Sequence, residues 1–346
     1  MTKHFRYFLF ATGLCLALLL AVSQPARSAP DEPVWQSLGL SGQTIFALAA
    51  HPTDAQTLFA GVEQGGVYRT TDDGAHWTAL TEGMGAADVL SLAVDPQTPA
   101  TLYAGTAQNG AFRSQDGGEH WMALPLSSPF LYEWLVDPQT PSTLYVLANH
   151  ALVKSLDKGD HWQACGQGVT SSSLTDLEMN PSNPSELFVG TMTGMVYHTT
   201  DGCASWTSAL VSMDGVSALA VHPRFAGWVY AATPKGEVFL SQDYGKQWEK
   251  IGALPEQSPL HVLEVHPDVP SMLVAGTLTR GVYRSLDGGR TWTAVNTGLS
   301  SFTVRALIPD ALNPNRWYAG TDDGVFALTF PTLSPQVYLP WIARAP

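Results

Sequence analysis

The pattern that most constrains this chain is an eight-residue string that occurs six times. The copies are TTDDGAHW from Thr70, SQDGGEHW from Ser114, SLDKGDHW from Ser155, TTDGCASW from Thr199, SQDYGKQW from Ser241 and SLDGGRTW from Ser285. The formula is Ser or Thr, any residue, Asp, any, Gly, any, any, Trp, and only Cys203 displaces the Gly. The aspartates stand at positions 72, 116, 157, 201, 243 and 287, so the repeat is 41 to 44 residues long. A period of that size, with turn chemistry in each unit, means a repeat architecture.

Each part of the string has a physical role. Asp accepts hydrogen bonds from backbone N–H groups just downstream, and Ser or Thr does so more weakly, which is the chemistry of a tight turn. Gly supplies the positive φ that a short hairpin turn needs. Trp then opens the next strand with a large apolar body and one N–H donor, suited to wedging against a neighbouring sheet.

A second string runs between the boxes. It reads LAAHPTDAQTLFAGV from Leu48, LAVDPQTPATLYAGT from Leu92, WLVDPQTPSTLYVLA from Trp134 and LEMNPSNPSELFVGT from Leu177. It continues as LAVHPRFAGWVYAAT from Leu219, LEVHPDVPSMLVAGT from Leu263 and LIPDALNPNRWYAGT from Leu307. These are seven gapless copies against six boxes. Period-two alternation and β-branched and aromatic enrichment between close-spaced turns predict strands, four to each repeat. The proline after the first strand stops its ladder. Four strands per unit, repeated seven times, predict an all-β fold: one seven-bladed β-propeller. The last repeat ends after its third strand, while Val34-Trp35-Gln36-Ser37-Leu38 matches the fourth-strand starts and Trp35 lies in phase, 42 residues before Trp77. The N-terminal strand is therefore expected to complete the last blade and leave no open edge.

The box resembles the Asp-box, or BNR repeat, of sialidases, sortilin-type receptors, xyloglucan-hydrolysing enzymes and photosystem assembly propellers. The resemblance covers roughly residues 34 to 330. It implies that the box joins the third and fourth strands of each blade, away from any active site, and that Asp72, Asp116, Asp157, Asp201, Asp243 and Asp287 are structural. A sialidase-like or xyloglucanase-like glycoside hydrolase is one implication; a non-catalytic binding propeller is the other.

The start of the chain reads as an export signal. Lys3 and Arg6 precede the uncharged apolar run Tyr7 to Val22, and small residues follow at Ala26, Ser28 and Ala29. Residues 1–28 are expected to be removed, placing the protein outside the cell or in the cell envelope, although cleavage after Ser23 fits nearly as well and an uncleaved anchor is the alternative. Removal takes Lys3, Arg6 and Arg27 and no acid from a chain whose net charge is −13, leaving 14 basic against 30 acidic residues. Such an acidic protein is poorly suited to nucleic acid or anionic membrane surfaces. Cys165 and Cys203 remain, and export permits them to pair. The proline-rich tail at 331–346 falls outside the repeat: either it packs on the barrel or hangs loose, or it retains the protein at a surface.

Four-stranded blades put the box turns on one face and the turns after Ala-Gly-Thr, with the links between blades, on the other. The second face carries the irregular sequence, where binding residues on a rigid scaffold usually sit. Two positions before the leading Leu or Trp, the repeats place Phe46, Leu90, Tyr132, Thr175, Ser217, His261 and Arg305, which should ring the channel mouth. Glu133, Asp176, Asp214, His150, Lys235, Arg280 and Asp322 are expected nearby. Tyr132, Glu133, Trp134, Asp176, His261 and Arg305 are the candidate ligand-binding residues, with Phe130, Tyr132 and Trp134 as stacking surfaces for sugar or peptide.

The enzyme readings fare less well on residues. The resemblance to sialidases implies three converging arginines and a Tyr–Glu pair, but Arg69, Arg113 and Arg284 share one slot before the box and look like repeat structure. HPRF at His222 to Phe225 lies in the wrong turn for the family's Arg motif. Tyr132 and Glu133 are adjacent in a strand, so period-two alternation would point them to opposite faces. A carboxylate pair such as Asp176 with Asp214 or Asp322 could serve as acid and base. His51, His222 and His266 precede Pro at one repeat position, and His76, His120 and His161 precede the box Trp, so repeat structure explains them better than metal ligation. The expected protein is a monomer without cofactor or metal that binds a protein or glycan.

Overall fold

The computed structural model describes residues 32–148, 151–171 and 173–332. The expected signal segment, His150 and all of the tail after Thr332 lie outside the described residues. The fold is an all-β propeller of seven four-stranded antiparallel sheets. From the channel outward, blade 1 holds Ile45–Ala50, Leu58–Val62, Gly66–Thr70 and Thr78–Leu80. Blade 2 holds Val89–Val94, Leu102–Thr106, Ala111–Ser114 and Met122–Ala123. Blade 3 holds Leu131–Val136, Leu144–Ala148, Ala151–Ser155 and Gln163–Ala164. Blade 4 holds Leu174–Met179, Leu187–Thr191, Met195–Thr199 and Thr207–Leu210. Blade 5 holds Ala218–Val221, Val229–Ala232, Glu237–Ser241 and Glu249–Ala253, and blade 6 holds Leu260–Val265, Leu273–Thr277, Val282–Ser285 and Thr293–Ala294.

Blade 7 is made from both ends of the repeat array. Val304–Pro309, Arg316–Thr321 and Gly324–Thr329 take Gln36–Gly39 as their outer strand, with Gln36 opposite Ala327 and Gly39 opposite Val325. Trp35 fills the place of a box Trp without the box. Its Nε1 donates to Val295 O in blade 6, just as Trp77 Nε1 donates to Leu38 O and Trp121 Nε1 to Leu80 O, each reaching the outer strand of the preceding blade. Trp35 and Phe330 both lie on the box face of the ring, because the seam strand starts there and its partner ends there.

The core is divided among the spaces between blades. Each apolar cluster draws on two consecutive blades, and the cluster of Leu38, Ala306, Tyr318, Val325 and Ala327 with Ile45, Leu48 and Leu58 joins blade 7 to blade 1. The second strands carry this packing, since Leu58–Val62, Leu102–Thr106, Leu187–Thr191 and Leu273–Thr277 are buried at every position. Sheets covered on both faces read as continuous apolar runs, which is what the Leu-Phe-Ala-Gly-Val type strings are.

The boxes behave as turn devices. In each, the Ser or Thr hydroxyl donates to Asp Oδ1 and accepts from the N–H of the fifth residue. The Asp also accepts from the N–H four residues on. The fourth and fifth positions are both left-handed, including Asp73, Lys158 and Tyr244 at the fourth and Cys203, with φ 73°, at the fifth. Two successive positive φ values match the twist of a two-residue hairpin. Cys203 thus occupies the one Gly position of the formula that a side chain fills, and that side chain forms a disulfide with Cys165 at a Cα–Cα distance of 5.3 Å, tying blade 3 to the box of blade 4.

The histidines sort by the same logic. His76, His120 and His161 hydrogen-bond through Nδ1 to the Oδ2 of Asp72, Asp116 and Asp157. Those bonds, with the backbone N–H of the same histidines, hold the three carboxyls down at about 2. Before proline, His222 and His266 use Nδ1 to accept two backbone N–H groups each, the work done elsewhere by Asp95 and Asp137. Arg69 and Arg113 reach the next blade's box, at Gly117 O with Glu119 and at Lys158 O with Asp160.

Candidate functional site

A cavity of about 490 Å³ occupies the channel at the face opposite the boxes. All seven expected ring residues line it: Phe46, Leu90, Tyr132, Thr175, Ser217, His261 and Arg305. The backbone explains why one repeat position delivers them. In six innermost strands the pairing with the second strand skips one residue, between Ile45 and Ala47, Val89 and Ser91, Leu131 and Glu133, Leu174 and Asp176, Leu260 and Val262, and Val304 and Ala306. The skipped residue is the ring residue, so a β-bulge re-aims it at the mouth. Blade 5 differs: Ser217 precedes its strand and donates from N to Ala232 O.

The bulge corrects one reading from alternation. Tyr132 and Glu133 do not part to opposite sides, since both line the cavity, the extra residue having broken the period of two. Trp134 is a separate case. It lines the cavity, but its ring is largely buried, stacked on Tyr103 with centroids 5.3 Å apart and edge-on to Trp162, so it also packs blade 2 against blade 3. Phe130 also stands at the mouth: it is exposed and stacked on exposed Tyr132 with centroids 6.0 Å apart.

Beneath the rim the channel wall carries four carboxyl groups, Glu133, Asp176, Glu178 and Glu264. Innermost strands are edge strands whose channel-side N–H groups lack a ladder partner, and acids of the preceding blade supply it. Leu177 N–H donates to both Glu133 and Asp176, and Leu219 N–H donates to Asp176, so these two side chains stitch blades 3, 4 and 5 together. Ser91 does the equivalent with the opposite polarity, donating from Oγ to Leu131 O. Glu133 also hydrogen-bonds Asp176 directly.

The electrostatics follow from this crowding. Desolvation by the channel wall pushes Glu133 and Glu178 well above the usual carboxyl range, with the Asp176 charge as the next cause. Glu264 is pushed up to about 8, again by burial first and Asp176 second. Burial raises Asp176 as well, against the hydrogen bonds it accepts from Glu133, Leu219 and Leu177. Asp176 is therefore the member of the group best placed to carry charge.

The other expected neighbours are engaged at the rim. Asp214 pairs with Lys235 at 2.7 Å, Arg280 with Glu256 at 2.8 Å, and Asp322 with Arg305 at 2.5 Å, while the Arg305 guanidinium lies over the Phe46 ring. The expected pairing of Asp176 with Asp214 or Asp322 is thus replaced by Asp176 with Glu133, because the rim acids are held by cations of their own. Glu178 and Glu264 were missed from sequence. Their signal was legible all the same: they sit directly after the leading Leu, where the other repeats place Ala49, Ala93, Leu135, Ala220 and Ile308. Among the described residues, no group of three or more His, Cys, Asp or Glu is arranged to hold a metal ion.

Comparison with known proteins places this geometry in context. A probable oligoxyloglucan-reducing end-specific xyloglucanase of Neosartorya fischeri is 24% identical over 259 residues, which is 70% of this chain and 28% of that protein. The chain therefore spans little more than a quarter of the curated relative it matches. The GH74 xyloglucanase from Xanthomonas campestris superposes with a TM-score of 0.68 at 21% identity, covering 85% of this chain and 53% of the enzyme. The structure of YCF48 bound to D1 peptide superposes with a TM-score of 0.69 at 14% identity, covering 88% of this chain and 98% of that one. At such identities the superpositions speak for the fold. Residues 29–301 match the model of the DUF6242 beta propeller domain, and the chain belongs to that family.

Proposed function

We propose that the chain is an exported, monomeric, non-catalytic scaffold that holds a protein segment or a glycan on its channel-mouth face. The observation that carries this reading is the rim itself. Six bulges aim non-repeating side chains at one cavity, and the stacked pair Phe130–Tyr132 stands exposed beside it. Exposed aromatic rings over a concave site suit sugar faces and apolar side chains alike. A structure of YCF48, a propeller of similar span, has it bound to D1 peptide, which supports a protein ligand.

A glycoside hydrolase is the second reading, favoured by the xyloglucanase relatives and the channel carboxyls. The geometry of the Glu133–Asp176 pair speaks against that pair as the catalytic one. Hydrolytic pairs stand about 5–9.5 Å apart with room for sugar and water between them, whereas Glu133 and Asp176 share one N–H and bond each other. The export signal and the Cys165–Cys203 bridge support a location outside the reducing cytosol.

A glycan array and a fluorogenic glycosidase panel, run side by side, test this reading. Binding without turnover, weakened at least about tenfold by Tyr132→Ala, is expected for a stacking contact of this kind. Turnover that disappears in Glu133→Gln or Glu264→Gln would establish the hydrolase instead.

A further inference from the structure

The mouth combines two features that together specify a partner. The first is apolar: Tyr132 at its bulge and Phe130, Met192, Met213, Leu278 and Phe302 in links or turns of the channel-mouth face are all exposed, spread from blade 3 round to blade 7. Others stand exposed elsewhere, Leu156, Tyr244 and Leu312 among them, but those at the mouth surround a concave site, and exposed apolar side chains around such a site mark an interaction surface. The second is charge. Lys235, Arg280 and Arg305 at the rim are each paired to a carboxylate, while Glu178 and Glu264 in the channel have neither a salt bridge nor a side-chain hydrogen bond among the described residues.

Resting on the reading of the mouth as a binding face, we propose that its occupant is a polypeptide segment of another protein that lays aromatic or aliphatic side chains on the rim and sends a Lys or Arg side chain into the channel toward Glu178 and Glu264. Charge complementarity selects this occupant. A neutral glycan could hydrogen-bond the channel acids but not neutralise the Asp176 charge or those that form as its neighbours ionise, and an acidic segment would be repelled by Asp176. The aliphatic stem of Lys or Arg also suits the route, passing the apolar rim before its charged head reaches the carboxyls.

The arrangement predicts coupling to protons. The groups facing the incoming cation are Glu133 from blade 3, Asp176 and Glu178 from blade 4, Glu264 and His261 from blade 6, and Arg305 from blade 7. Carboxyls held protonated by burial must ionise to pair with it, so binding releases protons and tightens as pH rises.

Panning a random dodecapeptide display library on the full chain tests the proposal. The expected enrichment is of peptides with Lys or Arg flanked by aromatic or aliphatic residues. Synthetic versions should lose at least about tenfold in affinity to Glu178→Gln/Glu264→Gln and bind more tightly at pH 8 than at pH 6. Neither substitution touches a backbone partner, and a thermal midpoint at pH 6 no lower than that of the unaltered chain shows that the variant folds. Enriched peptides without basic residues, or affinities indifferent to the double substitution, overturn the cationic partner but leave the mouth as a binding face. Peptides and glycans that bind equally to Tyr132→Ala, Phe302→Ala and the unaltered chain overturn the mouth itself.

Discussion

The two faces of the ring are built from the same blades and obey different rules. On the box face the same bonds recur from blade to blade, within one turn or to the next copy of it: Ser to Asp, Asp to backbone, Arg to the neighbouring box. On the mouth face the partners change from blade to blade. Position by position, a serine bonds a carbonyl, a glutamate bonds an N–H, and a valine or alanine bonds nothing. Repetition therefore marks what the fold needs, and departure from repetition marks what selection could spend on a ligand.

Substitutions separate the two faces, and the largest effect belongs to the seam. Trp35→Ala removes a buried ring that packs between blades 6 and 7 and donates to Val295 O. It should cost about 3–5 kcal/mol, read by denaturant unfolding, and deletion of residues 30–40 should cost more. An unchanged midpoint would mean that the outer strand of blade 7 does not close the ring.

A single box should matter less. Asp287→Ala leaves the hydroxyl of Ser285 and the N–H groups of Arg290 and Thr291 without their acceptor. A loss of about 1–3 kcal/mol is expected, with ligand binding at the mouth unaltered. A binding defect without a stability defect would show that the box face takes part in recognition.

The mouth should respond least, and in the opposite direction. Glu264 keeps its proton to about pH 8 in the fold, while in the unfolded chain it ionises in the usual carboxyl range. The folded state then binds more protons than the unfolded one, so stability falls as pH climbs from about 4.5 toward 8 and levels off above that. Glu264→Gln should flatten this slope and raise stability above pH 8, measured by thermal melts across pH. Asp72, held at about 2, works the other way: its contribution is present above the usual carboxyl range and fades as pH falls toward 2.

The contrast also explains what could be read from residues alone. The fold was legible because the box chemistry is local: Asp, Gly and Trp carry the same instruction wherever they stand, and the absence of a seventh box pointed to Trp35. The ring of mouth residues was legible as a column of the repeat. The bulge beneath it was not, since an unpaired residue in an innermost strand depends on how two strands register, and alternation alone sent Tyr132 and Glu133 apart. Trp134 lines the cavity as expected, but its packing role was not read. It occupies the leading Leu position, which packs between blades, and an aromatic there is core whatever its distance from the mouth. Glu178 and Glu264 were written plainly in an otherwise apolar column, but a column of strand residues was read as structure.

Trp35 and Phe330 leave the ring side by side on one face, at the same end of an antiparallel pair. That geometry gives the seam a mechanical character. Heat must break the whole ring at once, because every blade is packed on two others. Tension applied between these two points loads the seam rungs in sequence, so the strands peel rather than shear. The ring would open at modest force along a single line, with six blades still folded, and the same line would guide its reclosure.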